Sequence, residues 1–197
     1  SPSRSTLTSL PTRCSIEMNR ALHGLLLGLG LWWLTGCQPA ERPAFPLELA
    51  IRFTCDTHGR LVPCGCFTGQ YGGMTRLKTA LEAETFPLEL RLDAGDAIGG
   101  AEDYHLLEYR QILRAYGLMK FDALNLGQRE ARLSAAQLRE LKQSSPVPLI
   151  SANLLDKSTR QPVCDPYRLL RRGDRTIAVL GVVDPRGLGE DLGEGLE

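Results

Sequence analysis

The sequence predicts an α/β fold in which short strands alternate with helices. Short apolar runs with strand-like patterning recur along the chain, and segments with apolar residues at helical spacing separate them. Polar residues and glycines fall where the two kinds of segment meet. The composition, 43% hydrophobic and 23% charged, is typical of a folded domain. The formal net charge is zero, which argues against a nucleic-acid partner because no overall positive field would attract one.

In the first half, a strand is predicted over residues 47–54, where apolar residues alternate and include Ile51 and Phe53. A loop with five glycines follows over residues 56–73. A helix is predicted over residues 74–84 from its helically spaced apolar residues. A second strand over residues 88–92 ends at the sequence Asp-Ala-Gly-Asp.

In the second half, a helix over residues 102–116 precedes a short strand over residues 123–126. The apolar residues of this helix fall on one side, which predicts a buried face made of Leu106, Tyr109, Ile112, Leu113 and Tyr116. Ser134 is predicted to cap the next helix, because its hydroxyl can accept from the free N–H groups of the first turn. Three further strands are predicted over residues 147–152, 167–170 and 176–183. The last is a continuous apolar run, typical of a strand buried on both faces. This alternation predicts a layered α/β domain.

The first 46 residues are predicted to lie outside the folded domain, which occupies residues 47–197. Residues 18–36 have the layout of a secretory signal peptide, with a basic start, an apolar run and then small residues. The run at 21–34 is shorter than the roughly 20 residues that span a bilayer. Residues 1–17 precede this start and are expected to be untranslated or disordered.

The sequence Leu-Thr-Gly-Cys that ends at Cys37 resembles a bacterial lipobox. The resemblance implies cleavage before Cys37, a lipid on its sulfur and a Pro-rich tether over residues 37–46. Gln38 at the next position implies sorting to the outer membrane, facing the periplasm. The protein is therefore expected in the cell envelope, held to the membrane by its lipid. The alternative is a plain membrane anchor with an incidental cysteine.

Polar side chains follow three predicted strands. Asp56 and His58 follow the first strand, Asp93 and Asp96 the second, and residues 128–130 the third. Ligands of open α/β sheets gather beyond these strand ends. Carboxylates with an imidazole suit Zn, Mn or Fe, and two such ions about 3.5–4 Å apart can activate water against a phosphate ester. Asp93 is expected to orient its turn rather than bind metal.

Six segments resemble, in order, those of the calcineurin-like metallophosphoesterases, and the likeness is closest to the bacterial 5′-nucleotidase and UDP-sugar hydrolase branch. They are TCDTHGRL, GGMTRLKTAL, LRLDAGDAI, DALNLGQRE, PLISANLLD and IAVLGVVDP. The resemblance extends over about residues 47–185. It implies a β-sandwich flanked by helices, two divalent metal ions, and hydrolysis of a small phosphorylated substrate or nucleotide.

The resemblance assigns roles residue by residue. Asp56 and His58 match the ligands of the first metal, and Asp96 matches the carboxylate that bridges both metals. Gln128 stands where the family has an asparagine ligand of the second metal. Arg129 stands where the family has a histidine that assists the leaving group. Arginine stays charged and cannot act as an acid, but it can bind a phosphate oxygen.

The family takes further histidines from later strands, whereas this sequence has none after His105. We therefore expect an N-terminal fragment whose domain is incomplete at its C-terminus. His105 itself lies in a predicted helix and is expected to be a packed or surface residue. The departures at Gln128 and Arg129 leave a second hypothesis open, a degenerate relative that binds metal or ligand without hydrolysis.

The Cys64-Gly65-Cys66 sequence has three interpretations. Two Cα atoms with one residue between them lie at most ~7 Å apart, so a bent Cys-Gly-Cys segment can reach disulfide distance. The first interpretation is a structural disulfide, with Cys55 or Cys164 as further candidates. The second is a redox-active pair beside the metal site, which would make the protein an envelope redox protein. The third is thiolate metal ligation, with Cys55 or His58 completing a zinc-like set, although the spacing is not a standard zinc pattern.

Overall fold

The computed structural model describes residues 49–65, 69–188 and 191–197. Three predictions fall on residues outside these ranges: the signal peptide, the lipid site at Cys37 and the tether. Cys66 also lies outside them. Among the described residues, no helix combines the length and the apolarity needed to cross a membrane.

A four-stranded parallel sheet forms the centre of the domain, with its strands in chain order. Its strands are β1 (Leu49–Thr54), β2 (Leu88–Asp93), β3 (Ala123–Asn125) and β4 (Leu149–Ile150). Three helices connect them: α1 (Met74–Ala83), α2 (Asp103–Leu118) and α3 (Ala135–Ser144). Each of these elements was predicted from the sequence to within a few residues. The mixed α/β fold with a parallel sheet is therefore confirmed.

The helices follow the sequence pattern closely. The apolar face predicted for α2 is buried at Tyr109, Ile112, Leu113 and Tyr116. The cap predicted for α3 is also present, because Ser134 Oγ accepts a hydrogen bond from the backbone N–H of the third helical residue. In return, the Ser134 N–H donates to the side-chain oxygen of that residue, Gln137, at 2.9 Å, which completes a capping box. Helical periodicity and cap chemistry together thus predicted where these two helices lie.

The second half ends in two antiparallel hairpins. One joins β5 (Leu155–Asp156) to β6 (Gln161–Pro162), and the other joins β7 (Tyr167–Arg172) to β8 (Arg175–Leu180). The prediction that residues 176–183 form a strand buried on both faces is wrong. Alternate residues of β8 point to solvent, and Leu180 is 62% exposed. An apolar run shows that a strand prefers burial, but it does not show that a second layer covers its outer face.

Candidate metal centre

The candidate metal site begins where β1 and β2 end side by side, with Thr54 opposite Asp93. The two loops that follow are joined by backbone hydrogen bonds. The N–H of Asp56 donates to the Gly95 carbonyl at 3.1 Å, and the N–H of His58 donates to the Asp96 carbonyl at 3.1 Å. The parallel register therefore brings the two loops, and the candidate ligands on them, together.

Asp56, His58 and Asp96 each offer a ligand atom, and the three atoms lie within 4.8 Å of one another. His58 Nε2 is 3.4 Å from Asp56 Oδ1. All three residues have left-handed backbone, with φ of 53°, 49° and 57° respectively. Such backbone costs about 1–3 kcal/mol per residue and is concentrated at functional sites. Three separate residues bear this cost here, and together they form the ligand group.

The charges of this group fit a divalent cation. No lysine or arginine among the described residues forms an ion pair with Asp56 or Asp96. The Asp96 carboxylate instead accepts a hydrogen bond from the backbone N–H of Arg129 at 2.7 Å. Two carboxylates with one imidazole are a donor set suited to Zn, Mn or Fe, and an ion would supply the missing positive charge. The predicted first-metal ligands are thus close enough to share one ion.

Glu130 is a buried residue that holds the backbone of the ligand loops, and none of its surface is exposed. Its carboxylate accepts hydrogen bonds from the backbone N–H groups of Asp96, Ala97, Ile98 and Gly127, at 2.8–2.9 Å. Burial raises the pKa of Glu130 to about 7, even though these N–H groups favour the ionised form. One side chain therefore holds the loop after β2 against the loop after β3. The sequence pattern alone indicates no role for Glu130, the last residue of the Gly-Gln-Arg-Glu segment.

Gly127 allows this close approach of the two loops. A Cβ at this position would overlap the backbone nitrogen of Asp96 and lie 2.5 Å from its Oδ1 atom. No flexible side chain lies between them, so the overlap cannot be relieved without moving the ligand loop. The position therefore requires glycine for the packing of Asp96.

Asp93 orients the turn after β2, as predicted. Its Oδ1 accepts from the Gly95 N–H at 2.9 Å, and its Oδ2 accepts from Thr54 Oγ1 at 2.6 Å and from the Tyr116 hydroxyl at 2.9 Å. Burial raises the pKa of Asp93 to about 6, while these donors oppose the increase. Helical spacing predicted that Tyr116 belongs to the buried face of α2, but it did not indicate that its hydroxyl makes hydrogen bonds.

Gln128 and Arg129 both direct their side chains to backbone carbonyls. Gln128 Nε2 donates to the Asp184 carbonyl at 3.2 Å. Arg129 Nη1 donates to the Gly99 carbonyl at 2.6 Å. Their predicted roles, as a second-metal ligand and as a phosphate-binding residue, stay predictions. His105 is partly buried and its Nδ1 lies 2.9 Å from Glu108 Oε2 on the same helix, as expected of a packed or surface residue.

Cys55, Cys64 and Cys164 form no disulfide with one another. The backbone of Cys64 pairs with Tyr71 through two hydrogen bonds of 3.0 Å, so it forms one side of a short antiparallel bridge. A hydrogen bond to the neighbouring Asp56 raises the pKa of the Cys55 thiol, and burial raises that of Cys164 to about 12. The predicted redox or disulfide pairing of Cys64 with Cys66 stays a prediction.

A groove of about 700 Å³ opens beside Asp56, between the loop after β1 and helix α1. Its lining is largely apolar along α1, but it also contains the side chains of Arg60 and Arg76. Arg60 forms no ion pair or side-chain hydrogen bond with any described residue. Asp56 of the ligand group therefore borders a cleft that is large enough for a small organic molecule and that two arginines also line.

No protein-family profile matches the chain. A 5′-nucleotidase of Vibrio cholerae is 28% identical over 161 residues, which cover 76% of this chain and 28% of that protein. The chain thus spans little more than a quarter of the length of this relative. The NAD nucleotidase NadN of Haemophilus influenzae has a similar fold, with a TM-score of 0.63 at 21% identity over 76% of this chain and 29% of that one.

The calcineurin-like phosphoesterase YfkN of Bacillus subtilis also has a similar fold. Its TM-score is 0.58 at 19% identity, over 76% of this chain and 53% of that one. The resemblance predicted from the six sequence segments is confirmed at this level. The chain is similar in sequence to 5′-nucleotidases, and its α/β fold is shared with calcineurin-like phosphoesterases.

Proposed function

We propose that this protein is an exported, lipid-anchored, metal-dependent phosphoesterase that hydrolyses nucleotides or other small phosphate esters. One observation carries the proposal: ligand atoms of Asp56, His58 and Asp96 lie within 4.8 Å of one another at the ends of parallel strands. The 28% identity to a 5′-nucleotidase supports the same chemistry. The adjoining groove offers space for the substrate beside the ligands.

A divalent ion held by these three side chains would neutralise charge on phosphoryl oxygens and lower the pKa of water. The protein's own residues would add binding and orientation. Arg129 lies next to Asp96 through its backbone hydrogen bond, and its guanidinium has donors beyond the one bound to Gly99. A guanidinium presents paired N–H groups that match phosphate oxygens. Arg129 would therefore bind the substrate's phosphoryl group without acting as its acid.

We propose two ions in the active protein, with Asp96 shared between them, and Zn, Mn or Fe as the candidates. The described residues assemble one group of at least three Asp, Glu, His or Cys ligands. For the second ion they offer Asp96 and Gln128, and the Gln128 amide nitrogen is engaged with the Asp184 carbonyl. Binding of the second ion would therefore require additional ligands. It would also require the amide oxygen of Gln128 to turn toward the ion.

The proposed location follows from the sequence pattern that ends at Cys37. Lipid on this cysteine would hold the domain at the outer membrane, facing the periplasm, and the tether would separate it from the bilayer. The substrate would then be a phosphorylated compound of that compartment. A zero formal charge gives no reason to expect a nucleic-acid partner.

A second candidate is a non-catalytic relative that binds metal or ligand. The side chains of Gln128 and Arg129 favour it, because both are held by backbone carbonyls and neither has the residue type that the family resemblance calls for. Under this hypothesis the metal group is retained while turnover is lost. Metal binding alone therefore does not separate the two candidates, whereas hydrolysis does.

The test is to remove metal with a chelator, restore Mn, Zn or Fe separately, and measure bound metal and phosphate release from nucleoside 5′-monophosphates. Asp96→Asn should lower both metal content and hydrolysis. Asp174→Asn is the matched control, since this carboxylate is exposed at the β7–β8 turn and should change neither. Metal binding without phosphate release would favour the non-catalytic candidate. An absence of metal binding in the unmodified protein would exclude both.

A further inference from the structure

The hydroxyl of Tyr116 joins helix α2 to the loop after β1 and to the last residue of β2, from which the second ligand loop begins. Tyr116 has no exposed surface. Its hydroxyl donates to Asp93 Oδ2 at 2.9 Å and is 2.8 Å from Thr57 Oγ1. Asp93 ends β2, and Thr57 lies in the loop after β1. One buried atom of the helix therefore contacts both sides of the site.

Thr57 lies between the two ligands Asp56 and His58, so its position constrains both. Because the Tyr116 proton goes to the Asp93 carboxylate, the hydroxyl of Thr57 must donate to the Tyr116 oxygen. The chain of hydrogen bonds then has a fixed direction, from Thr57 through Tyr116 to Asp93. Both ligands beside Thr57 have left-handed backbone, which neighbouring contacts must maintain.

The ring of Tyr116 is itself held firmly. It stacks on Phe121, with the ring centroids 4.2 Å apart and the planes inclined by 27°. Thr54 Oγ1 lies 3.3 Å from the Tyr116 hydroxyl and donates to the same Asp93 oxygen. The phenol oxygen therefore sits at a defined point under the loop rather than rotating freely.

We propose that Tyr116 is a positioning residue that sets the geometry and affinity of the metal site through Thr57. It does not coordinate the ion. This inference rests on the proposed metal centre and adds a residue outside the ligand set. Partners that orient metal ligands without touching the metal typically change affinity about 10–100-fold when they are removed.

The variant Tyr116→Phe removes only the hydroxyl and keeps the buried ring. Tyr104→Phe is the control, since it removes the hydroxyl of a tyrosine on the same helix that is 58% exposed and packs against His105. Each metal-free protein is titrated with Co²⁺, while affinity and the visible absorption of the bound ion are recorded. Tyr116→Phe should bind about 10–100-fold more weakly with an altered spectrum, and Tyr104→Phe should match the unmodified protein.

A second pair of variants tests the same hydrogen bond from the loop side and decides the matter if Tyr116→Phe does not fold. Thr57→Val should weaken Co²⁺ binding, and Thr57→Ser, which keeps the hydroxyl, should restore it. Equal affinity and equal spectra for Thr57→Val and the unmodified protein would overturn the inference while leaving the metal centre intact. If the unmodified protein binds no Co²⁺, the metal centre and the inference both fall.

Discussion

The buried carboxylate of Glu130 accepts a hydrogen bond at 2.9 Å from the backbone N–H of Asp96, the candidate bridging ligand. The backbone on which Asp96 is placed is therefore hydrogen-bonded to a carboxyl group in the core. No lysine, arginine or histidine of the described residues forms an ion pair with Glu130, so its charge is stabilised by backbone N–H groups. The geometry of the ligand group thus depends on a residue that offers no atom to it.

We predict that Glu130→Gln lowers the free energy of unfolding by about 2–4 kcal/mol. A glutamine amide keeps one acceptor oxygen but turns an NH₂ group toward N–H donors, and each buried polar group left unsatisfied costs about 1–3 kcal/mol. Urea unfolding of the metal-free proteins measures the difference. Glu140→Gln removes an exposed ion pair with Arg110 and should cost no more than about 1 kcal/mol. Equal losses in the two variants would contradict this role of Glu130.

The stability of the protein should depend on pH through Glu130. Its pKa is raised to about 7 in the folded protein, above the value of about 4.3 expected when unfolded. Between these values the folded state binds more protons than the unfolded state, so stability falls as pH rises. Chelator-treated protein should therefore become less stable to urea between about pH 4.5 and 7. Glu130→Gln should flatten this part of the profile, and an unchanged slope would contradict the assignment.

Part of the site could be predicted from the sequence alone. Asp56, His58 and Asp96 were predictable because parallel strands end at one edge of a sheet, which gathers the polar residues that follow them. Tyr116 and Glu130 were not, since helical periodicity and burial indicate that a residue is inside but not which polar atom it meets. The orientation of the Gln128 amide likewise depends on Asp184, a residue 56 positions away.

The cysteines should differ in reactivity with iodoacetamide. Cys164 is 2% exposed and burial raises its pKa to about 12, so at pH 8 it should stay protonated and unmodified until the protein unfolds. Cys64 is exposed and, in protein kept reduced, should react in the folded state. Peptide mass spectrometry after timed labelling, with and without urea, distinguishes the two sites. Modification of Cys164 at the same rate in folded and unfolded protein would show that the strand region around it is open.

The residue at position 129 should change kcat for substrates whose leaving group needs a proton, but not for substrates whose leaving group departs as an anion. An arginine cannot give a proton to a departing nucleoside oxygen, whereas a histidine can, and such general acid help typically contributes 10²–10⁴-fold. If the protein hydrolyses phosphate esters, Arg129→His should raise kcat for nucleoside 5′-monophosphates by at least about tenfold. It should leave p-nitrophenyl phosphate little changed, because p-nitrophenolate departs without a proton.

Steady-state kinetics on both substrates measures this difference, and Arg129→Lys serves as the control because it keeps a charge without supplying an acid near neutral pH. Loss of the guanidinium should raise KM for both substrates in both variants, since its paired N–H groups suit phosphoryl oxygens. The gain in kcat for nucleotides should appear in Arg129→His alone. Equal gains for the two substrates would show that Arg129 limits the reaction through its charge or its contact with Gly99. A loss of turnover in Arg129→His for both substrates would show that the guanidinium is required for the reaction, with the proton supplied by another group.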